Sequence, residues 1–147
     1  MIIQFGIKKD DGFSDYDHLT GVKSLAGRLK RDEIVGLIAI CDLVISIDSD
    51  PVHVAGAVGT PAIGLFGPMN PASILPSDSP APALGLVSDV PCLFYHNRTP
   101  VIHWITRCPN DFACMKKLEC ETVFAAVKWM LGHSQRREFK EPLKVLN

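Results

Sequence analysis

The sequence predicts an α/β protein in which a parallel sheet is flanked by helices in a doubly wound order. Three observations carry that prediction. Residues 43–47 (LVISI) form a short, apolar, β-branched run, the composition of a parallel strand buried on both faces. Asp48-Ser49-Asp50-Pro51 then opens an alanine- and valine-rich stretch closed by Gly59, which reads as a tight turn and a helix. PAIGLF at 61–66 resumes an apolar strand, so the unit is a right-handed strand–helix–strand crossover.

From the amino end, IIQF at 2–5 predicts a buried strand ended by Gly6, and IKKDDGFSDYD at 7–17 a polar loop. Residues 22–33 (VKSLAGRLKRDE) predict a short first helix or a turn. Asp32 is a candidate N-cap for a helix carrying Ile34, Leu37, Ile38 and Cys41, whose i, i+3, i+4, i+7 spacing makes one apolar face for the sheet. Gly36 costs that helix about 1 kcal/mol relative to alanine. In the central unit Asp50 is the expected N-cap and Pro51 the first helical residue, where a missing N–H is harmless. Gly59 is the expected stop beyond the last turn.

Further on, the proline-rich residues 68–82 predict an extended surface loop and ALGLVSDV at 83–90 another strand. Residues 91–112 are aromatic-rich and irregular, with Cys92, His96, His103, Trp104 and Cys108. A helix is expected over 114–131 with Val123, Ala126, Val127 and Met130 on its apolar face, followed by a polar tail holding Arg136, Arg137 and Lys140. This makes one domain over 1–131 and a tail over 132–147. About four strands are predicted where a complete nucleotide-binding domain has about six, which leaves a face or an edge wanting cover.

Composition bounds the function. The 147 residues are enough for one domain with a core. Apolar residues make up 47% and charged residues 21%, and the net charge is −1. That balance gives no reason to expect nucleic acid or an anionic membrane as the main partner. The start MIIQFG is too short for a secretory core, and no apolar run approaches the ~18 residues of a spanning helix. Five cysteines, an odd number, with no leader before them point to free thiols in a reducing cytoplasm.

The chemistry concentrates after residue 47. Ligands of open α/β sheets sit beyond the carboxyl ends of the strands, where Asp48, Ser49 and His53 fall. A helix N-terminus with free N–H groups favours an anion, most often phosphate. The plain alternatives are that Asp48 and Ser49 serve as turn and cap, and that His53 bonds locally. His18, His96, His103 and His133 are expected to face solvent or to be locally satisfied. Cys92, Cys108, Cys114 and Cys120 are separated by fifteen, five and five residues, with none of the short knuckles of structural zinc. Cys92, Cys108 and Cys114, with His96 or His103, are the candidates for zinc, against free thiols or a Cys108–Cys114 disulfide.

These residues also carry a resemblance. Thr20-Gly21 with Ser24-Leu25, and then LVISIDSDPVHVAGAVGTPAIGLFGPMNP, is similar to the carboxyl-terminal half of glycosyltransferase family 9, the lipopolysaccharide heptosyltransferases and their relatives. The matching positions are Asp48, Ser49, His53, Ala57, Gly59, Pro61, Phe66, Gly67, Pro68 and Pro71, with Cys108 and Cys114-Met115 resembling a cysteine-containing segment of that family. The resemblance covers roughly residues 2–131.

It implies the Rossmann-like donor domain of a GT-B enzyme: a nucleotide-diphosphate sugar held by this half, with acceptor and catalytic base on an amino-terminal domain. In inverting transfer, charge growing on the leaving β-phosphate would be met by N–H donors at the helix start, without a metal. Ser49, Val52 and His53 would supply those donors and Asp48 would hold sugar hydroxyls or fix the turn. Thr20, Gly21 and Lys23 are carried over as nucleotide contacts. Asp50 departs from the family's glycine there. It turns away as a cap, weakens binding, or takes a divalent cation that bridges to the diphosphate. Asp48-Ser49-Asp50 also spells the Asp-x-Asp manganese motif of another glycosyltransferase architecture. No catalytic residue is assigned within the chain. The expected partners are an amino-terminal GT-B domain in trans or a second copy. The rival reading is a degenerate, non-catalytic module that holds a nucleotide or serves as an interaction surface.

Overall fold

The computed structural model describes residues 1–6, 19–75, 78–98, 108 and 110–133. Five short strands and six helices alternate along it: β1 (Ile3–Gln4), β2 (Lys23–Ser24), α1 (Arg31–Ile40), β3 (Val44–Ile47), α2 (Asp50–Val58), β4 (Ala62–Leu65), α3 (Pro71–Ile74), β5 (Ala83–Leu86), α4 (Tyr95–Arg98), α5 (Ala113–Lys116) and α6 (Cys120–His133). All pairings are parallel. β1 pairs with β2, and a separate sheet runs β3-β4-β5. The expected α/β class with parallel strands flanked by helices is what the chain forms.

The register places Ile45, Ile63 and Leu84 side by side, and Ile47, Leu65 and Leu86 one step along. Alternation puts these residues on one face. Ile63 there packs with Ala126 and Met130 of α6, joined by Leu65, Leu84, Leu86 and Val127. On the opposite face Val44 and Ala62 pack with Val52 and Ala55 of α2 and Ile38 of α1. The apolar stripe of α1 is therefore used as its spacing predicts, with Ile34 and Cys41 against the same cluster.

Several elements differ from expectation. Residues 2–5 are not a buried strand. β1 has two residues, and Ile2 is 70% exposed because nothing described covers it. Residues 43–47 are not buried on both faces either: among the described residues β3 is an edge of its sheet, with Ile45 45% and Ile47 58% exposed. Residues 22–33 supply β2 and a turn rather than a helix, since Lys23 and Leu25 donate to the carbonyls of Ile2 and Gln4.

Caps shift as well. α1 starts two residues early, so Lys30 is the N-cap, Asp32 falls within the first turn, and Glu33 accepts from the Lys30 N–H at 2.7 Å. Cys41 caps the carboxyl end instead of lying in the helix. Ser49, not Asp50, is the N-cap of α2, which puts Asp50 first and Pro51 second in the helix. Gly59 does end it, in the left-handed region at φ 69°, with Thr60 N–H donating to Ala55 O at 2.8 Å, the Schellman closure.

The proline-rich stretch contains α3, capped by Asn70 Oδ1, which accepts from Ala72 N–H. The strand over 83–90 ends at Leu86. The helix over 114–131 is two helices, α5 and α6, because the chain turns at Lys117–Glu119. His18, His103, Trp104, Arg136, Arg137 and Lys140, and the tail beyond His133, lie outside the described residues.

Candidate functional site

The carboxyl ends of β3 and β4 carry the site. β3 runs out at Ile47, and Asp48 N–H still donates to Leu65 O at 3.2 Å, so the ladder holds Asp48 in place before the chain turns. Ser49 is fully extended (φ −163°, ψ 175°) and leads into α2. The side chain of Val52 is buried beneath that turn, with 1% exposure, which anchors the helix start against the sheet.

The polar groups are disposed as follows. Asp48 is half-buried and faces a cavity. The Ser49 hydroxyl does not cap the helix: it donates to Ile47 O at 3.2 Å and lies 3.0 Å from Ser46 Oγ. Val52 N–H donates to Ser49 O at 3.1 Å. With Pro51 carrying no N–H, the amides of Ser49 and Asp50 are those nearest the turn. The side chains of Asp50 and His53 are exposed at the mouth of the helix. Thr20 and Gly21 sit in the exposed turn that enters β2, at the amino end of that strand, and Lys23 is its first residue. Asp48, by contrast, follows the carboxyl end of β3.

The cavity has a volume of about 430 Å³ and is lined by Ile47, Asp48, Leu65, Gly67, Pro68, Met69, Cys92, Tyr95, His96, Cys108, Asn110, Phe112, Cys114 and Met115. Its lining is mainly apolar with a few polar groups, the usual character of a small-molecule pocket. The far wall is bonded to the Gly67–Asn70 loop. Phe94 N–H donates to Gly67 O at 3.0 Å, His96 N–H to Pro68 O at 2.9 Å, and Asn70 N–H to Asn97 Oδ1 at 2.8 Å. Phe94, Asp111 and Phe112 hold φ of 60°, 49° and 54°, a left-handed conformation uncommon outside glycine.

Gly67 makes this closure possible. A Cβ there would lie 2.7 Å from Cys114 Sγ and 3.0 Å from Met115 Sδ. Sequence reasoning missed this contact, although the glycine between Phe66 and Pro68 was its visible signal.

Cys92, Cys108 and Cys114 come together on this wall as free thiols; Cys41 and Cys120 are also free. Burial pushes the Cys114 thiol up, and the neighbouring Cys92 and Cys108 push the same way, so it stays protonated. Among the described residues no group of three or more His, Cys, Asp or Glu is arranged to hold a metal ion. No described helix is long and apolar enough to cross a membrane.

Known proteins place the motif in context. The sequence profile of glycosyltransferase family 9 (heptosyltransferase) matches residues 11–101. Lipooligosaccharide heptosyltransferase 2 of Haemophilus influenzae is 39% identical over 64 residues, 44% of this chain and 18% of that protein. Lipopolysaccharide heptosyltransferase 2 of Escherichia coli is 35% identical over 66 residues, 45% of this chain and 19% of that protein. The aligned stretch is thus less than a fifth of either relative. The glycosyl transferase family 9 structure from Veillonella parvula superposes with a TM-score of 0.58 at 19% identity, covering 90% of this chain and 37% of that one.

Proposed function

The chain belongs to glycosyltransferase family 9, and on that premise we propose that it binds the nucleotide-diphosphate sugar of a heptosyl-type transfer and does not turn over alone. The carrying observation is the corner from Asp48 to Val52, where a strand end, an extended serine and a helix start adjoin the 430 Å³ cavity. The diphosphate lies against the amides at the opening of α2, which stabilise charge on the leaving phosphate. Asp48, on the cavity wall, accepts from sugar hydroxyls. His53, on the first turn, stands beside the phosphates. The acceptor and the base that deprotonates it come from a separate amino-terminal domain, and the reaction needs no metal.

A second reading is a non-catalytic module of the same descent. Asp50 favours it: an acidic side chain in the first turn already complements the helix dipole and repels a phosphate arriving there. Calorimetric titration with ADP, UDP and GDP, with and without magnesium, tests both. The donor reading expects saturable binding that weakens several-fold in Ser49→Ala and His53→Ala and tightens in Asp50→Gly. Binding indifferent to all three substitutions removes this corner as the site, and no heat with any of the nucleotides favours the module.

A further inference from the structure

Three thiols line the far wall of the cavity, Cys92, Cys108 and Cys114, and the nucleotide reading uses none of them. Two are drawn together by the main chain around them. Ser88 Oγ, itself buried, donates to Cys114 O at 2.7 Å. Phe94 N–H donates to Gly67 O at 3.0 Å, and Cys114 Sγ lies against that same glycine. Cys92 stands between Ser88 and Phe94, in the turn that Leu93 N–H closes on Val90 O at 3.1 Å. One flank of Cys92 is therefore bonded to Cys114, and the other to the residue that the Cys114 thiol touches.

The third thiol is turned elsewhere. Cys108 Sγ accepts from Phe112 N–H at 3.3 Å, and Asp111 N–H donates to Cys108 O at 3.4 Å, so Cys108 is folded back on its own turn. Burial is the main cause that raises the Cys114 thiol, and of its neighbours Cys92 acts more strongly than Cys108, in accord with that placement. Cys92 is half-buried while Cys114 is buried, which makes Cys92 the thiol that a reagent meets first.

We propose that Cys92 and Cys114 are a reversible dithiol–disulfide pair, oxidised by a small-molecule disulfide of the glutathione class, and that closing it locks the far wall of the cavity. The Cys92 sulfur attacks one sulfur of the reagent RSSR. The reagent's S–S bond breaks and RS⁻ leaves, which gives a mixed disulfide. The Cys114 sulfur then attacks Cys92 Sγ, the mixed disulfide breaks, and a second RS⁻ leaves. Each RS⁻ takes up one of the two thiol protons. Two protein thiols and one RSSR thus give one protein disulfide and two RSH, with two electrons passed to the reagent. The new bond closes the chain between Cys92 and Cys114 into a ring, which suppresses local opening of the wall from the Gly67–Asn70 loop. Nucleotide binding plays no part in this.

In the test, the reduced full chain is incubated with glutathione disulfide. Remaining thiols are blocked with iodoacetamide in urea before digestion and mass spectrometry. Peptides linked through Cys92 and Cys114 are expected, and reduced glutathione should release them. The same link should form in Cys108→Ser. In Cys92→Ser, which leaves the buried Cys114 in place, Cys114 should be recovered as the alkylated thiol. Hydrogen exchange at the Phe94 amide should slow about tenfold in the linked chain. No oxidation overturns the proposal, as does a link from Cys108 to either of the others. Glutathione retained on Cys92 as the end product, or a link that forms only after unfolding in urea, overturns it too. So does a Phe94 amide that exchanges equally fast in the linked and reduced chains.

Discussion

The cavity beside Asp48 has two walls built differently. On one side β3, β4 and α2 are fixed many times over: a continuous parallel ladder, a buried face of Val44, Val52, Ala55 and Ala62, and a Schellman closure at Gly59. On the other side residues 92–98, 108 and 110–116 follow no long element. Residues 94–97 hang from the Gly67–Asn70 loop by individual hydrogen bonds, while the Cys114 segment is held by the Ser88 hydroxyl donating to Cys114 O and by one tight contact at Gly67. A wall stabilised by regular packing loses stability in large amounts and only when its core is cut. A wall held by a few bonds can be loosened locally while the rest stays folded.

The difference can be broken or sharpened in steps of decreasing size. Phe66, the residue after β4, is fully buried, and Phe66→Ala should cost about 3–5 kcal/mol in urea denaturation. A loss below ~1 kcal/mol would mean the packed wall is far looser than its contacts imply. Gly67→Ala drives a methyl group against Cys114 Sγ. It should cost about 1–3 kcal/mol and make Cys114, now 8% exposed, react faster with a thiol reagent. Unaltered reactivity would show that the far wall does not rest on this glycine.

Asn97→Ala removes one hydrogen bond from the Asn70 N–H, an effect of about 1 kcal/mol. Exchange at the Asn70 amide should quicken while the amides of β4 keep their rates. Equal quickening in β4 would show that the walls unfold as one unit.

Alkaline pH gives the smallest effect. Cys114 titrates above its ordinary value of 9.0, chiefly through burial. From that ordinary value upward the unfolded chain releases the proton first, so stability is full below pH 9 and falls as pH rises toward the folded pKa. Cys114→Ser should flatten the decline in a denaturation series across that window.

The packed wall was legible in the sequence because its signals are local. The β-branched run before Asp48, the proline near the start of α2 and the glycine at its end each act through their own φ, ψ and nearest turn. The far wall was not legible in the same way. Nothing in residues 91–112 shows a period, and the Phe94 to Gly67 and Asn97 to Asn70 bonds join positions about 27 apart in the chain. The convergence of Cys92, Cys108 and Cys114 likewise has no signature in their spacing. The cap position slipped by two residues at α1 and by one at α2, since the choice among neighbouring polar residues depends on which backbone groups are already bonded.

Composition and pattern by themselves determined the α/β class and the parallel crossover around 43–66, because strand propensity, turn chemistry and helix stops are short-range. Only the tertiary structure decided that, among the described residues, β3 is an edge and the strands divide into two sheets, and that a cavity closes over Gly67. Burial of a strand depends on what lies beside it, and a neighbour distant in sequence leaves no mark on the residues it would cover.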